Sequence, residues 1–227
     1  MTGTHTDLDG FDILDPEVQQ CPHLYYSAMR DSCPVFPTEA AGTEFYLISR
    51  HEDVMQVLMD PETFSSKFGR SGLPPSEEAI RRLAEVQKEL GAYRRRDTLL
   101  TVDPPEHTRY RKLVSRAFTS RAIAELEPFI RNLSNDLIGR FLPAGRCEFV
   151  EEFAVPLPVA TIARALNVPG DRLEDFKRWS DDAIAGTGRH LTVDEQVECE
   201  KSIIEFQHYF AEQLDQRRAE PRNDILT

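Results

Sequence analysis

The sequence predicts a mainly α-helical fold with a small β-sheet. Three observations carry that prediction. Apolar residues recur at helical spacing along most of the chain, and alternating aromatic-rich runs are short and rare. No internal repeat or long low-complexity tract points to a solenoid or a disordered chain. The 227 residues give room for one large domain or two small ones, with a sizeable core.

Glu44–Ser49 (EFYLIS) is the best strand, and Cys147–Val150 (CEFV) is a second short candidate. The helix of HEDVMQVLM follows the first strand, with Val54, Val57 and Leu58 as its stripe and Pro61 as its stop. Gly69, Gly72, Pro74 and Pro75 mark a loop, and Glu77–Leu90 reads as a polar helix after them. Leu126, Ile130, Leu133 and Leu137 recur at i, i+4, i+7 and i+11, an amphipathic helix. The segment FAVPLPVATIARALNVP holds another, stopped at Asn167, which suits the left-handed position at a helix end. RLEDFKRWSDDAI is a helix, AGTGRH a turn, and Ile203, Phe206, Phe210 and Leu214 stripe a long helix from about Asp194 to Arg218. In PRNDILT, Asn223 or Asp224 reads as a cap, with Ile225 and Leu226 opening an apolar face. A chain that stops at the start of an element is expected to be truncated.

Lys and Arg number 27 against 39 Asp and Glu, a net charge of −12. That balance argues against general affinity for nucleic acid or an anionic membrane. No apolar run approaches a membrane span, and the polar, acidic N-terminus does not read as a signal peptide, so a cytoplasmic protein without membrane anchor is expected. Cys21, Cys33, Cys147 and Cys199 are scattered, with no CxxC pair, which disfavours a disulfide framework or a structural zinc site.

Within this acidic chain, TVDPPEHTRYRKLVSRAFTSR (101–121) stands apart. From His107 to Ala124 it carries Arg109, Arg111, Lys112, Arg116 and Arg121 and no acid. Asp103 is a good N-cap, Pro104 suits the first helical position, and Glu106 completes a capping-box-like pair, so a helix is expected from Pro104. At about 100° per residue, His107, Arg111, Val114 and Phe118 share one face. Arg109, Lys112 and Arg116 lie nearly opposite. Val114 and Phe118 are expected in the core, which would draw His107 and Arg111 inward, where an unpaired guanidinium is costly. The spacing leaves two readings: an internal Asp or Glu partner, or an anionic ligand. With no glycine-rich phosphate loop nearby, the second reading favours a carboxylate-bearing ligand.

The same stretch, DPPEHTRYRKLVSRAFTSR, resembles the C-helix signature of bacterial cytochrome P450s, the haem-thiolate monooxygenases. FYLISRHEDVMQVLMDPETFSS, EFVEEFAVPLPVATIARALNVPGDRLEDFKRW and RAEPRNDILT resemble further family segments, in the family's order, from about Phe11 to Thr227. The resemblance implies the N-terminal part of a single cytochrome P450 domain over 1–227, ending just before the long central I-helix. Its first-sheet strand and B-helix would lie at about 43–66, its B–C loop at about 67–102, its C-helix at about 104–119 and its D to G helices at about 121–218. It implies haem b, whose propionates His107 and Arg111 would bind. It also implies NAD(P)H acting through a ferredoxin or flavodoxin-type redox partner, received on a surface that includes Arg109, Lys112 and Arg116. A simply solvated face is the other reading of those three. The implied activity is oxidation, typically hydroxylation, of an apolar small molecule with O2, in secondary metabolism or xenobiotic oxidation. By position, Leu99 and Leu100 in the B–C region and Trp179 and Ile184 in the lid region (about Phe176 to His190) would face substrate; core packing is the favoured role for the last two.

Two departures stand out. LNVP replaces the usual Leu-Gly-Val-Pro. None of the four cysteines sits in the family's haem-ligating context, so this chain carries no axial ligand, no metal ligand and no catalytic residue of its own. Glu78–Arg81 and Glu106–Arg109 match Glu-x-x-Arg by letter but in the wrong regions. The alternatives are an inactive cytochrome P450-like fragment, a non-enzymatic helical binding module, and a structural helical protein in which His107 and Arg111 meet an internal acid.

Overall fold

A computed structural model describes residues 8–40, 43–67, 75–186, 191–222 and 224–226. The expected loop residues Gly69, Gly72 and Pro74, part of the AGTGRH turn, the cap candidate Asn223 and Thr227 lie outside the described residues.

The chain is mainly helical with one two-stranded sheet. Helix α1 (Pro16–Gln20) starts where the Asp15 carboxylate accepts the Glu17 N–H at 2.8 Å. Helix α2 (His23–Ser32) buries Met29. Strands β1 (Val35–Ala40) and β2 (Thr43–Ile48) pair antiparallel, with Val35 opposite Ile48 and Glu39 opposite Glu44. The expected strand at 44–49 is therefore β2. Its partner is not CEFV, which leads instead into a π-helical turn at Val150–Ala154. The partner is VFPTEA, where Pro37 interrupts a recognisable strand pattern; a two-stranded hairpin tolerates it because each strand is an edge. Helix α3 (His51–Met59) follows with Val54 and Val57 half-buried, while Leu58, expected in its stripe, is exposed.

Helix α4 (Glu77–Glu89) is capped by Ser76, whose hydroxyl accepts the Ala79 N–H at 3.2 Å. Helix α5 (Glu106–Ala117) is the basic helix. Helix α6 (Ser120–Phe141) is capped by Thr119 and turns Leu126, Ile130, Leu133 and Leu137 inward as the spacing required. Helix α7 (Pro156–Ala165) ends at Asn167, which takes the left-handed backbone (φ 54°) in place of a glycine. Helix α8 (Leu173–Ile184) and the 27-residue α9 (Val193–Ala219) complete the chain. A reciprocal capping box starts α9: Thr192 Oγ1 accepts the Glu195 N–H (3.2 Å), and Glu195 returns to the Thr192 N–H (2.8 Å).

A buried hydrophobic cluster joins α7, α8 and α9. Ala163, Val168, Phe176 and Trp179 form its buried centre, against Val159, Leu173, Tyr209 and Phe210. Trp179 lies 5.2 Å from the Tyr209 ring and 5.9 Å from Phe206, while the Arg172 guanidinium covers both Trp179 and Tyr209. Burial pushes the Tyr209 phenol above its ordinary range, against the Arg172 charge. On the other flank α9 packs on α4. Sandwiched in this way, it buries Val197, Glu200 and Ile204 more completely than the expected stripe at 203, 206, 210 and 214.

The C-terminal turn is locked to this unit. Asp224 Oδ2 accepts from Arg217 at 3.0 and 2.8 Å and from Asn167 at 3.3 Å, and Arg217 also donates to Gln213 Oε1 at 2.7 Å. Both charged side chains are almost fully buried, so the pair is satisfied rather than merely close. The Asp224 Oδ1 accepts the Leu226 N–H at 3.1 Å, the capping role expected of this position. Packing elsewhere is sparse. Helices α3 and α5, for example, bury none of their residues.

Candidate functional site: the basic helix and its approach

Asp103 sets the position of α5, though not as expected. The helix begins two residues later than the sequence suggests, at Glu106, after a cis Pro104–Pro105 bond and without a side-chain cap. The Asp103 carboxylate instead reaches back across the chain. It accepts from Ser65 Oγ at 2.6 Å and from the Ser66 N–H at 2.8 Å. These two bonds hold its pKa below the ordinary value, helped by Lys67 and His107. Its carbonyl still takes the His107 N–H at 3.0 Å, so Asp103 ties the helix entry to the segment after α3. The expected pair with Glu106 does not form because the carboxylate is already engaged.

Helix α5 buries none of its residues. His107 is half-buried and Arg111 exposed, while Val114 (41 % exposed) and Phe118 (52 %) are not in the core. The helical phase is as expected, but no other described element covers that face. Its apolar side chains therefore stand in solvent beside its charges.

Among the described residues, neither His107 nor Arg111 makes a side-chain hydrogen bond or ion pair, and the same holds for Arg109, Lys112 and Arg116. The internal-acid reading of His107 and Arg111 thus finds no acid bonded to them. The two side chains line one concavity of about 370 Å³ with Thr108, Lys112, Ser115 and Arg116. Lys112 and Arg116 also border a second one of about 810 Å³, with Arg109, Leu113, Pro61 and Glu62. The division into two opposite basic faces is therefore softened: long side chains at Lys112 and Arg116 reach both hollows.

Leu99 lines a third cavity, of about 500 Å³, formed with Lys67, Arg96, Asp97, Val102, Glu106 and Tyr110. Sequence reasoning did not single out Lys67, Arg96 or Tyr110; the Arg94–Arg96 run was the available signal. Leu100 is 80 % exposed and is not part of that lining. Of its two expected roles, Trp179 takes the favoured one, a core residue only 2 % exposed and not a pocket residue, because α8 turns it toward α7 and α9. Ile184 is 65 % exposed at the end of α8 and lines none of these cavities. Of the thiols, Cys21 and Cys147 are exposed and Cys33 and Cys199 half-buried. Among the described residues no cluster of His, Cys, Asp or Glu is suited to a metal ion, and no helix is long and apolar enough to cross a membrane.

A half-buried imidazole and an exposed guanidinium, one helical turn apart and without a bonded acceptor among the described residues, present hydrogen-bond donors on one concavity. The chain is 32 % identical over 232 residues to cytochrome P450 107B1 of Saccharopolyspora erythraea, a match spanning all of this chain and 52 % of the relative. It belongs to the cytochrome P450 family. It is also 32 % identical to nocardicin C N-oxygenase of Nocardia uniformis subsp. tsuyamanensis, over 99 % of this chain and 52 % of that protein. Among solved structures it resembles the cytochrome P450 CYP109Q5 from Chondromyces apiculatus, with a TM-score of 0.71 and 33 % identity over 95 % of this chain and 49 % of that one. No protein-family model matches the chain. The chain spans about half the length of the curated cytochrome P450 relatives it matches.

Proposed function

We propose that this chain is the haem-clamping part of a cytochrome P450 monooxygenase that oxidises an apolar small molecule with O2. The observation that carries the reading is the pair of unpartnered donors His107 and Arg111 on one concavity of α5. The pair fits the two propionates of haem b in charge and in donor count. Arginine supplies a planar fork to one carboxylate, and the imidazole supplies an N–H alongside it. In this role the residues bind and orient the cofactor, and neither touches iron.

Bound haem supplies the oxygen-activating redox chemistry. Leu99 and Val102, beside Tyr110, offer an apolar wall where the segment before α5 meets the helix. Arg109, Lys112 and Arg116 form the proposed reception surface for an acidic ferredoxin or flavodoxin-type partner, which relays electrons from NAD(P)H in the cytoplasm. Among the described residues none of the three makes an ion pair, which supports that reading, because each charge is available for steering. The axial thiolate belongs to a segment that this sequence does not contain in recognisable form. Catalysis is accordingly proposed for the whole protein and not for these residues alone.

The test compares haem with its dimethyl ester, which lacks free carboxylates, by absorbance titration of this chain. The propionate clamp predicts about ten- to a hundredfold tighter binding of the free acid, the worth of charge-assisted hydrogen bonds. Equal binding of the two forms, or binding of neither, contradicts it.

A further inference from the structure

One buried carboxylate joins three separate pieces of the chain. Glu200, in the N-terminal half of α9, has a side chain only 5 % exposed. Its Oε1 accepts from Gln87 Nε2, in the last turn of α4, at 2.8 Å. Its Oε2 accepts from Arg95, in the irregular segment between α4 and α5. Both oxygens are engaged, by partners more than a hundred residues away in sequence. Two further bonds pin the same segment: the Tyr93 N–H donates to Gln207 Oε1 at 3.1 Å, and His208 Nε2 donates to the Gly91 carbonyl at 3.0 Å. The rings of Tyr93 and His208 meet edge to face at 5.5 Å.

We propose that Glu200 is a positioning residue that sets which arginine of the Arg94–Arg95–Arg96 run faces the Leu99 cavity. The run offers three chemically identical side chains, and local sequence alone gives no reason to choose among them. Glu200 selects Arg95 and holds it at α9. The next residue, Arg96, is then left at the cavity wall with Lys67 and Leu99. A slip of one residue at the anchor would move a different side chain to that wall and displace Leu99 with it. The low exposure of the carboxylate makes the choice strict, because no water replaces a lost partner without a desolvation cost. α9 therefore dictates the polarity of a wall that lies in a different part of the sequence. The meaning of that wall for a cytochrome P450 substrate rests on the function proposed above; the anchoring itself does not.

The experiment is amide hydrogen exchange with limited trypsin digestion on this chain, without haem, so its outcome is separate from that of the cofactor reading. In Glu200→Gln the side-chain volume is kept and the charge is lost. Exchange across Tyr93–Asp97 and cleavage within Arg94–Arg96 are expected to rise about tenfold, the scale of one lost charge-assisted bond. The amides of α8 and the emission of the single tryptophan, Trp179, should stay as in the wild type. Glu200→Asp keeps the charge at a smaller volume and should protect the segment better than Glu200→Gln; a role in packing alone predicts the reverse order. Gln207→Ala, at a half-buried position, should loosen the segment at Tyr93 by a smaller factor and guards against a misfolded Glu200 variant. Unchanged protection in both the Glu200→Gln and Gln207→Ala chains overturns the proposal. So does loosening that spreads evenly through α8 and α9, or a Gln variant that outperforms Asp.

Discussion

The α7–α8–α9 unit and the α5 helix treat their charges in opposite ways. In the first, charges are paired: Arg217 and Asp224 meet almost fully buried, the buried Glu200 carboxylate meets Arg95 and Gln87, and the partly exposed Arg178 bridges Asp175 and Glu205. Aromatic rings close around Trp179. In α5, four cations and a histidine have no bonded partner among the described residues, and Leu113, Val114 and Phe118 stand exposed beside them. A region that satisfies its own groups is structural. A region that presents donors and apolar surface together, unsatisfied, is where the ligand and partner are proposed to bind.

Substitutions should therefore separate the two regions by stability. Trp179→Ala is expected to cost about 3–5 kcal/mol, the usual loss for a large aromatic removed from a packed core, read by chemical denaturation. Asp224→Asn should follow closely, at about 3 kcal/mol, because it leaves the Arg217 charge buried against a neutral partner. Asp103→Asn should have a smaller effect with a distinctive pH dependence. The Asp103 pKa is lowered in the folded protein, so its contribution is complete above the ordinary carboxylate range and fades as pH falls through the lowered value. Wild type and variant should thus differ at neutral pH and converge in acid; a gap that widens on acidification would refute the Ser65–Ser66 tether. Smallest of all, Arg109→Gln and Arg116→Gln should change stability by no more than about 0.5 kcal/mol in thermal melts, since neither has a partner to lose. A larger loss in either would mean that α5 is stabilised by its own charges, and the contrast would fail.

Most helices were legible in the sequence because their signals are local. The apolar spacing places the helices that Ser76, Thr119 and Thr192 cap, and Asn167 takes the left-handed turn expected of it. The hairpin partner VFPTEA was hidden by Pro37, and CEFV has strand composition yet helical surroundings. Asp103 shows a different limit. Expected as an N-cap, it does not cap α5, because its carboxylate is held by Ser65 and by Ser66, 37 residues earlier. The phase of α5, and with it the pairing of His107 with Arg111, followed from periodicity alone. The expected burial of Val114 and Phe118 did not, because periodicity fixes which residues share a face and not what covers it. Trp179 was ambiguous for a related reason: an aromatic on an amphipathic helix fits a core or a pocket equally well, and only the position of α9 decides. The Glu200 anchor had no sequence signal, since its partners are more than a hundred residues away.

Haem titration of Arg111→Ala beside the wild-type chain, each with haem and with its dimethyl ester, tests the central claim most directly. The account predicts that the wild type prefers free haem, that Arg111→Ala loses most of that preference, and that both melt at the same temperature. An Arg111→Ala chain that keeps the full preference for haem over its ester would contradict it.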